Sequence, residues 1–384
     1  MLFPGVDPIP LPAPVWLMKA LSLLTLTLHF IALQLFLGGL LAACALNFLG
    51  GRQNGPARAA FLSASLALSR RLPVVMTYVI NFGIPPLLFA QVLYGRALYT
   101  SSVLIGVLWI AVIPILTFAY FFLYRMTDRI EKGRAGWTWG LAALLLTLTI
   151  GQIYAFNMTL MLRPDVWQEM YSRTALGLQT PPRDPTMAPR FLFVLAGGLT
   201  LGGLGLVLVS LAKSLSADVR SLLSRVGSVL SVVGAGAQIA LAFVVQASQP
   251  EGIIASVNAS PLFLISGIAC LVGLALVLAT SLLGLTGKGG LLAPIGGALG
   301  AVVAVAGQVI YRDGIRDVTL LSKGFDVWQR EVVSNWSVIA LFLLLLVAGL
   351  GVIGWLAAVA LRAAPRSEAA PVEPVVFTEE ALIA

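Results

Sequence analysis

Ionisable residues are scarce in this sequence. Only 10% of its 384 residues are Asp, Glu, Lys or Arg, whereas 59% are hydrophobic. Soluble domains carry about 25% charged residues, so this composition excludes an ordinary soluble fold. The net charge of +8 comes from Lys and Arg in short clusters between apolar runs. The sequence has no basic face interleaved with aromatic residues, and we expect no nucleic-acid partner.

Cysteine and histidine are nearly absent. Both cysteines, Cys44 and Cys270, lie inside apolar segments, which argues against a disulfide framework and against a paired-cysteine metal site. His29 is the only histidine. A site with two histidine ligands therefore cannot form within one chain.

Apolar runs occupy most of the chain. A helix needs about 20 mostly apolar residues to cross the hydrocarbon core of a bilayer, and nine segments meet this length. They are residues 16–46, 72–93, 103–123, 137–156, 191–211, 226–246, 262–283, 291–311 and 336–361. We therefore predict an all-α fold, a polytopic transmembrane bundle of about nine helices. Residues 1–15 are predicted to be extracytoplasmic, 16–362 to form the bundle, and 363–384 to form a disordered cytoplasmic tail.

The basic residues predict the orientation of these helices. Lys and Arg concentrate in the first, third, fifth and seventh loops and in the tail, while the alternate short loops are nearly bare. Because basic residues accumulate on the cytoplasmic side of short loops, we predict an outside N-terminus and a cytoplasmic C-terminus. We expect the membrane to be a bacterial inner membrane. Two longer outer loops, 157–190 and 312–335, are candidates for docking a partner.

Charge is predicted to stay out of the membrane core. All 16 acidic and all 24 basic residues fall in predicted loops, tails or helix ends. Ion-coupled transporters and proton pumps usually place an ionisable group inside the membrane. The distribution counts against these mechanisms.

The lone histidine lies about midway through the first predicted helix. One interpretation of His29 is an axial haem ligand, with Met18 or Met76 as the second ligand or with an open sixth position. Another is a hydrogen-bond donor to a quinone. The third is a neutral imidazole that bonds to a carbonyl or amide of a neighbouring helix. These alternatives stay open at the level of sequence.

The second predicted helix contains two adjacent prolines, Pro85 and Pro86. Prolines lack the backbone donor, so the carbonyls of Asn81 and Phe82 are predicted to lose their partners and the helix to open or kink there. A break beside Asn81 and Gln91 is a candidate ligand site. A kink that serves packing alone is the alternative.

The first helices resemble a known family. The stretch Leu28-His29-Phe30, the run LFLGGLLA at 35–42 and the run INFG at 80–83 are similar to the opening of subunit I of cytochrome bd-type quinol oxidases. The resemblance covers about the first 125 residues and the topology of the rest. It implies nine helices, an outside N-terminus and a helix-one histidine that ligates haem.

The sequence also departs from that family. The family binds another haem through a second histidine with a methionine partner, and acidic residues from helix three onward deliver protons. Here no second histidine exists, segment 103–123 contains no acid, and the loop after the sixth helix, 247–261, is short. The resemblance therefore implies a relative that has lost dioxygen chemistry, at least one haem and the quinol-binding loop.

Together these features predict an integral membrane subunit of a respiratory electron-transfer complex, binding at most about one haem b or a quinone. No catalytic residue is assigned, and the chain is expected to be a non-catalytic subunit of a quinol-linked oxidoreductase. The candidate cofactor-binding residues are His29, Met76, Asn81 and Gln91, with His29 as the metal ligand. Expected partners are membrane lipids and other redox subunits, such as a c-type cytochrome. A small-molecule transporter or channel and a cofactor-free membrane scaffold are the alternatives.

Overall fold

The computed structural model describes residues 3, 5, 9–174, 176–287 and 289–363. Within these ranges the regular structure is helical, and the only β-type contact is an isolated bridge between Leu11 and Val332. Eight of the described helices are long and apolar enough to cross a membrane. The predicted all-α polytopic bundle is confirmed. The predicted tail, 363–384, lies outside the described residues except for Ala363.

Thirteen α-helices are described. Their bounds are α1 Val15–Gly50, α2 Gly55–Ser69, α3 Leu72–Leu93, α4 Gly95–Leu104, α5 Gly106–Glu131, α6 Trp137–Leu160, α7 Trp167–Arg173, α8 Met187–Ser210, α9 Ala217–Ala247, α10 Ile253–Asn258, α11 Pro261–Leu285, α12 Leu292–Ser322 and α13 Trp336–Ala363. The eight candidate spans are α1, the α2–α3 pair, α5, α6, α8, α9, α11 and α12. Helix α13 lies at the ninth predicted segment and contributes a shorter apolar stretch, Trp336–Val352.

Helix α3 continues through both of its internal prolines. It runs unbroken from Leu72 to Leu93 with Pro85 and Pro86 inside it. The helix therefore does not open at this point, and that part of the prediction was wrong, whereas the kink stays a prediction. Membrane helices tolerate proline when neighbouring helices surround the affected turn, and α3 packs closely along α1.

Helices α1 and α8 cross at glycines. A side-chain carbon at Gly38 would overlap the backbone of Gly198 and Gly202, so only glycine permits this approach of the two helices. Gly300 of α12 packs in the same way against Gly273 of α11. Close backbone contact at small residues is a common basis of helix association in membranes, where water does not drive association.

Helix α12 extends well beyond its predicted end. It continues from Leu292 to Ser322, so the predicted start of an outer loop at residue 312 was wrong. The following residues fold back over the bundle. There the amide of Leu11 donates to the carbonyl of Glu331 at 2.8 Å, and the amide of Val333 donates to the carbonyl of Leu11 at 2.9 Å. We call segments 9–14 and 323–335 the outer cap.

Candidate functional site

His29 lies at the contact between α1 and α3. Its Nδ1 is 2.9 Å from the carbonyl oxygen of Val79, and the ring is half-buried. The ring packs against Gly83, where a Cβ would lie only 2.9 Å from Nδ1. Glycine at position 83 is therefore what lets the imidazole approach α3 so closely.

The hydrogen bond to Val79 decides which nitrogen carries the proton. A carbonyl oxygen can only accept, so Nδ1 of His29 must be the donor. In a neutral imidazole Nε2 then keeps its lone pair. Metal-bound histidines usually show this arrangement, in which the second ring nitrogen donates to a carbonyl or carboxylate. The lone pair of Nε2 can accept a hydrogen bond. Without a proton, Nε2 cannot donate a hydrogen bond to a quinone carbonyl.

The other predicted site residues have different surroundings. Met76 is fully buried among apolar side chains. Asn81 is exposed, lies about 200° around the helix from Val79, and its amide donates to the carbonyl of Thr77 at 2.8 Å. Gln91 is eight residues beyond Gly83, which corresponds to about 12 Å along the helix axis. Asn81 and Gln91 therefore lie away from the contact between His29 and α3, and a role for Met76 stays a prediction.

His29 could supply one axial ligand to a haem. The imidazole fits, because Nε2 is free and Gly83 leaves space for the ring. Met18, the other predicted ligand, is buried near the N-terminal end of α1 with a different apolar cluster. No group of three or more His, Cys, Asp or Glu that could hold a metal occurs in the described part of the chain.

A cluster of buried charges lies at the predicted outer end of the bundle. The ammonium of Lys19 contacts Asp313 at 2.6 Å and also contacts Asp317. The guanidinium of Arg316 contacts Asp313. The hydroxyl of Tyr94 donates to Asp317 at 2.7 Å. We call Lys19, Asp313, Arg316 and Asp317 the outer charge cluster.

The outer charge cluster is electrically balanced and shielded. Its two cations match its two carboxylates, and the side chains of Lys19, Asp313 and Arg316 are less than a tenth exposed. Aromatic rings complete the enclosure, since Lys19 lies 5.5 Å from the ring centre of Tyr94 and 5.8 Å from that of Trp328. Burying paired charges is tolerated when each is compensated and hydrogen-bonded.

A partly open cavity adjoins this cluster. It encloses about 920 Å³ of space not filled by protein atoms, part of it open to the surroundings. Helices α6, α8, α9, α11 and α12 contribute its walls. Its polar lining consists of Arg190, Gln246, Gln308, Tyr311, Arg312 and Arg316, and its apolar lining includes Met158, Leu162, Phe193, Val194, Val245 and Leu271. We call it the arginine cavity.

Neutral groups hold Arg190 in the arginine cavity. Its guanidinium donates to the hydroxyl and carbonyl oxygens of Thr186 at 2.7 and 2.9 Å and to the hydroxyl of Thr159 at 3.1 Å. The nearby carboxylate of Asp184 accepts a hydrogen bond from the hydroxyl of Thr186 and pairs with the guanidinium of Arg163 at 3.1 Å. Burial alone would raise the pKa of Asp184, but these hydrogen bonds outweigh it and hold the pKa below its usual value.

Sequence reasoning missed the residues of these two regions. The predicted helix end at 311 assigned Asp313, Arg316 and Asp317 to a loop. A signal was present, because Asp313, Asp317 and Leu320 follow Val309 at spacings of three and four residues, which places them on one face of a continued helix.

No protein-family model and no curated protein matches this sequence.

Proposed function

We propose that this chain is a membrane subunit of a respiratory electron-transfer complex in which His29 presents a cofactor ligand at the surface of the bundle. The observation that supports this most is the bond from Nδ1 of His29 to the carbonyl of Val79. It orients the ring and leaves Nε2 as an electron-pair donor within an apolar span. An intramembrane ionisable residue favours function by default, and the resemblance to cytochrome bd-type subunits points to the same residue.

Haem b is the cofactor that suits this nitrogen best. When bound, it would supply one-electron transfer. The residues of this chain would hold and orient it: His29 as the axial ligand, Val79 as the acceptor that sets the tautomer, and Gly83 as the position that keeps the ring against α3. The ring is half-buried, so another subunit would cover the remaining face of the group.

A quinol is the second candidate for the same nitrogen. The lone pair of Nε2 can accept a hydrogen bond from a quinol hydroxyl. The oxidised quinone offers only acceptors, so the neutral ring of His29 would favour the reduced species. An extraction of bound quinones separates this candidate from haem.

The test is a reduced-minus-oxidised absorption spectrum, with haem and quinone extraction, of the complex isolated from its own membrane. We expect about one b-type haem per chain, absent from His29→Gln. Glutamine keeps a polar side chain of similar size at this position but is a poor haem ligand, so this substitution separates ligation from packing. Thr27→Ala is the matched control, because the Thr27 hydroxyl bonds only within its own helix, to the carbonyl of Leu23 at 2.8 Å.

The outcomes divide the alternatives. A bound quinone without haem, lost in His29→Gln, would favour the quinol. If the wild-type complex contained neither group, the electron-transfer proposal would fail and a cofactor-free scaffold would remain. Equal haem content in His29→Gln and wild type would exclude His29 as the ligand.

A further inference from the structure

The arginine cavity has a surplus of positive charge. Arg316 belongs to the outer charge cluster, where two cations balance two carboxylates. Of the other two arginines, Arg190 lies near the carboxylate of Asp184, which partly balances its charge and also pairs with Arg163. Arg312 forms no ion pair within 4.0 Å with a described carboxylate. Two further cations, Arg316 and Arg190, line the same cavity close to Arg312.

An uncompensated guanidinium is costly in this position. Taking a charge out of water is repaid only by an opposite charge and by hydrogen bonds to its donors. Arg312 and the amides of Gln246 and Gln308 line the cavity and make no side-chain hydrogen bond to another described residue. Donors without partners in one cavity indicate that an external acceptor occupies it.

The walls indicate that this acceptor carries apolar chains. The cavity lies among membrane-spanning helices, and Phe193, Val194, Val245 and Leu271 line it beside the arginines. Guanidinium groups suit phosphate oxygens, because their donors form a planar fork.

We propose that the arginine cavity binds an anionic phospholipid, with the headgroup phosphate between Arg190 and Arg312 and an acyl chain along the apolar wall. Tyr311 stands at the same wall, with its hydroxyl 3.0 Å from Oδ1 of Asn258. The cavity contains no atom of His29. This site is therefore independent of the function proposed above.

The experiment measures lipid binding to the full-length protein in a neutral detergent, by native mass spectrometry and by thermal unfolding. The probes are phosphatidylglycerol, phosphatidylcholine and inorganic phosphate. We expect phosphatidylglycerol to bind and raise the unfolding temperature, with about tenfold weaker binding in Arg312→Gln, since a charge-assisted hydrogen bond is lost. Arg190→Gln is a second variant with the same expected loss.

A matched control variant distinguishes a specific loss of lipid binding from a general effect of charge. The stability of the variants without lipid tests the unpaired charge itself. Arg183→Gln removes the same charge from an exposed residue of the adjoining loop and should leave lipid binding unchanged. Without lipid, Arg312→Gln should be at least as stable as the wild type, because it removes a half-buried charge that has no ion-pair partner among the described carboxylates. Improved stability without lipid combined with weaker lipid binding would support the site.

Three results would overturn the proposal. One is equal binding of phosphatidylglycerol by Arg312→Gln and wild type. Another is equal stabilisation by phosphatidylcholine, which would show that the negative charge is not recognised. The last is full stabilisation by inorganic phosphate alone, which would replace the lipid with a free anion.

Discussion

Polar side chains are stabilised in different ways in the middle of this bundle and at the end that holds the outer charge cluster. At the middle, a single imidazole, that of His29, satisfies one nitrogen on the carbonyl of Val79 and packs against Gly83. At the end that holds the outer charge cluster, three buried charged side chains and the largely buried Asp317 balance one another. An isolated polar group is noticeable in a sequence, whereas a self-compensating set resembles an ordinary loop until the fold is known.

The largest effect should come from unbalancing the outer charge cluster. Lys19→Met leaves two buried carboxylates with one cation, and we expect the free energy of unfolding to fall by about 3–5 kcal/mol. Unfolding by titration with a denaturing detergent measures it. Arg70→Gln is the control, because the Arg70–Glu131 pair has side chains 59% and 42% exposed and should contribute about 1 kcal/mol or less.

A compensating substitution tests whether balance is the cause. Adding Asp317→Asn to Lys19→Met leaves one cation, Arg316, and one carboxylate, Asp313, in the outer charge cluster. The charges are then balanced again, and part of the lost free energy of unfolding should be recovered. A double variant as unstable as the sum of its two single variants would contradict the balance argument and show that the contacts act separately.

A smaller effect is expected at the glycine crossing in the middle of the bundle. Gly38→Ala forces α1 away from the backbone of Gly198, and we expect a loss of about 1–3 kcal/mol from overpacking. Gly236→Ala is the control, since a Cβ there has no neighbouring atom within 4 Å and alanine favours a helix. Thermal unfolding of the two variants side by side measures the difference; equal changes would show that α1 and α8 can separate freely.

The smallest effect should come from acid at the rim of the arginine cavity. Because the pKa of Asp184 is lower in the folded protein than its usual value, its contribution to stability is complete above the unfolded pKa of about 3.9. It is lost as the pH falls through the lower folded pKa. Asp184→Asn should reduce this part of the acid dependence in thermal unfolding between about pH 5 and pH 2. An unchanged acid profile in Asp184→Asn would mean that the hydrogen bonds from Thr186 and the bond from Arg163 contribute nothing to this pH dependence.

Much of the fold could be predicted from the sequence, because the length of an apolar run reports directly on whether it can cross a bilayer. Helix α3 has the predicted bounds, 72–93, and α6 begins at the predicted Trp137. The ends were less predictable. Helix α12 continues for eleven residues past its predicted end at 311, where the carboxylates of Asp313 and Asp317 pair with Lys19 of α1. A local sequence pattern cannot predict a partner nearly 300 residues away in the chain.

The candidate site likewise has features that the sequence predicts and features that depend on the fold. His29 was identified by its rarity, but its proton position depends on Val79 of another helix. The predicted grouping with Asn81 relied on an opening of α3 that the fold does not contain. The arginine cavity could not be predicted, because its lining comes from five helices that are far apart in the chain.

Composition and apolar run length by themselves determined that this protein is a helical membrane bundle, since a backbone in hydrocarbon must satisfy its own hydrogen bonds. The lone histidine in the first span was equally plain from sequence. Only the tertiary structure decided which charges are paired, which arginines are left in surplus, and where a cavity forms. Those properties depend on distances of a few ångströms between side chains from different helices, and electrostatic and packing energies change steeply over such distances.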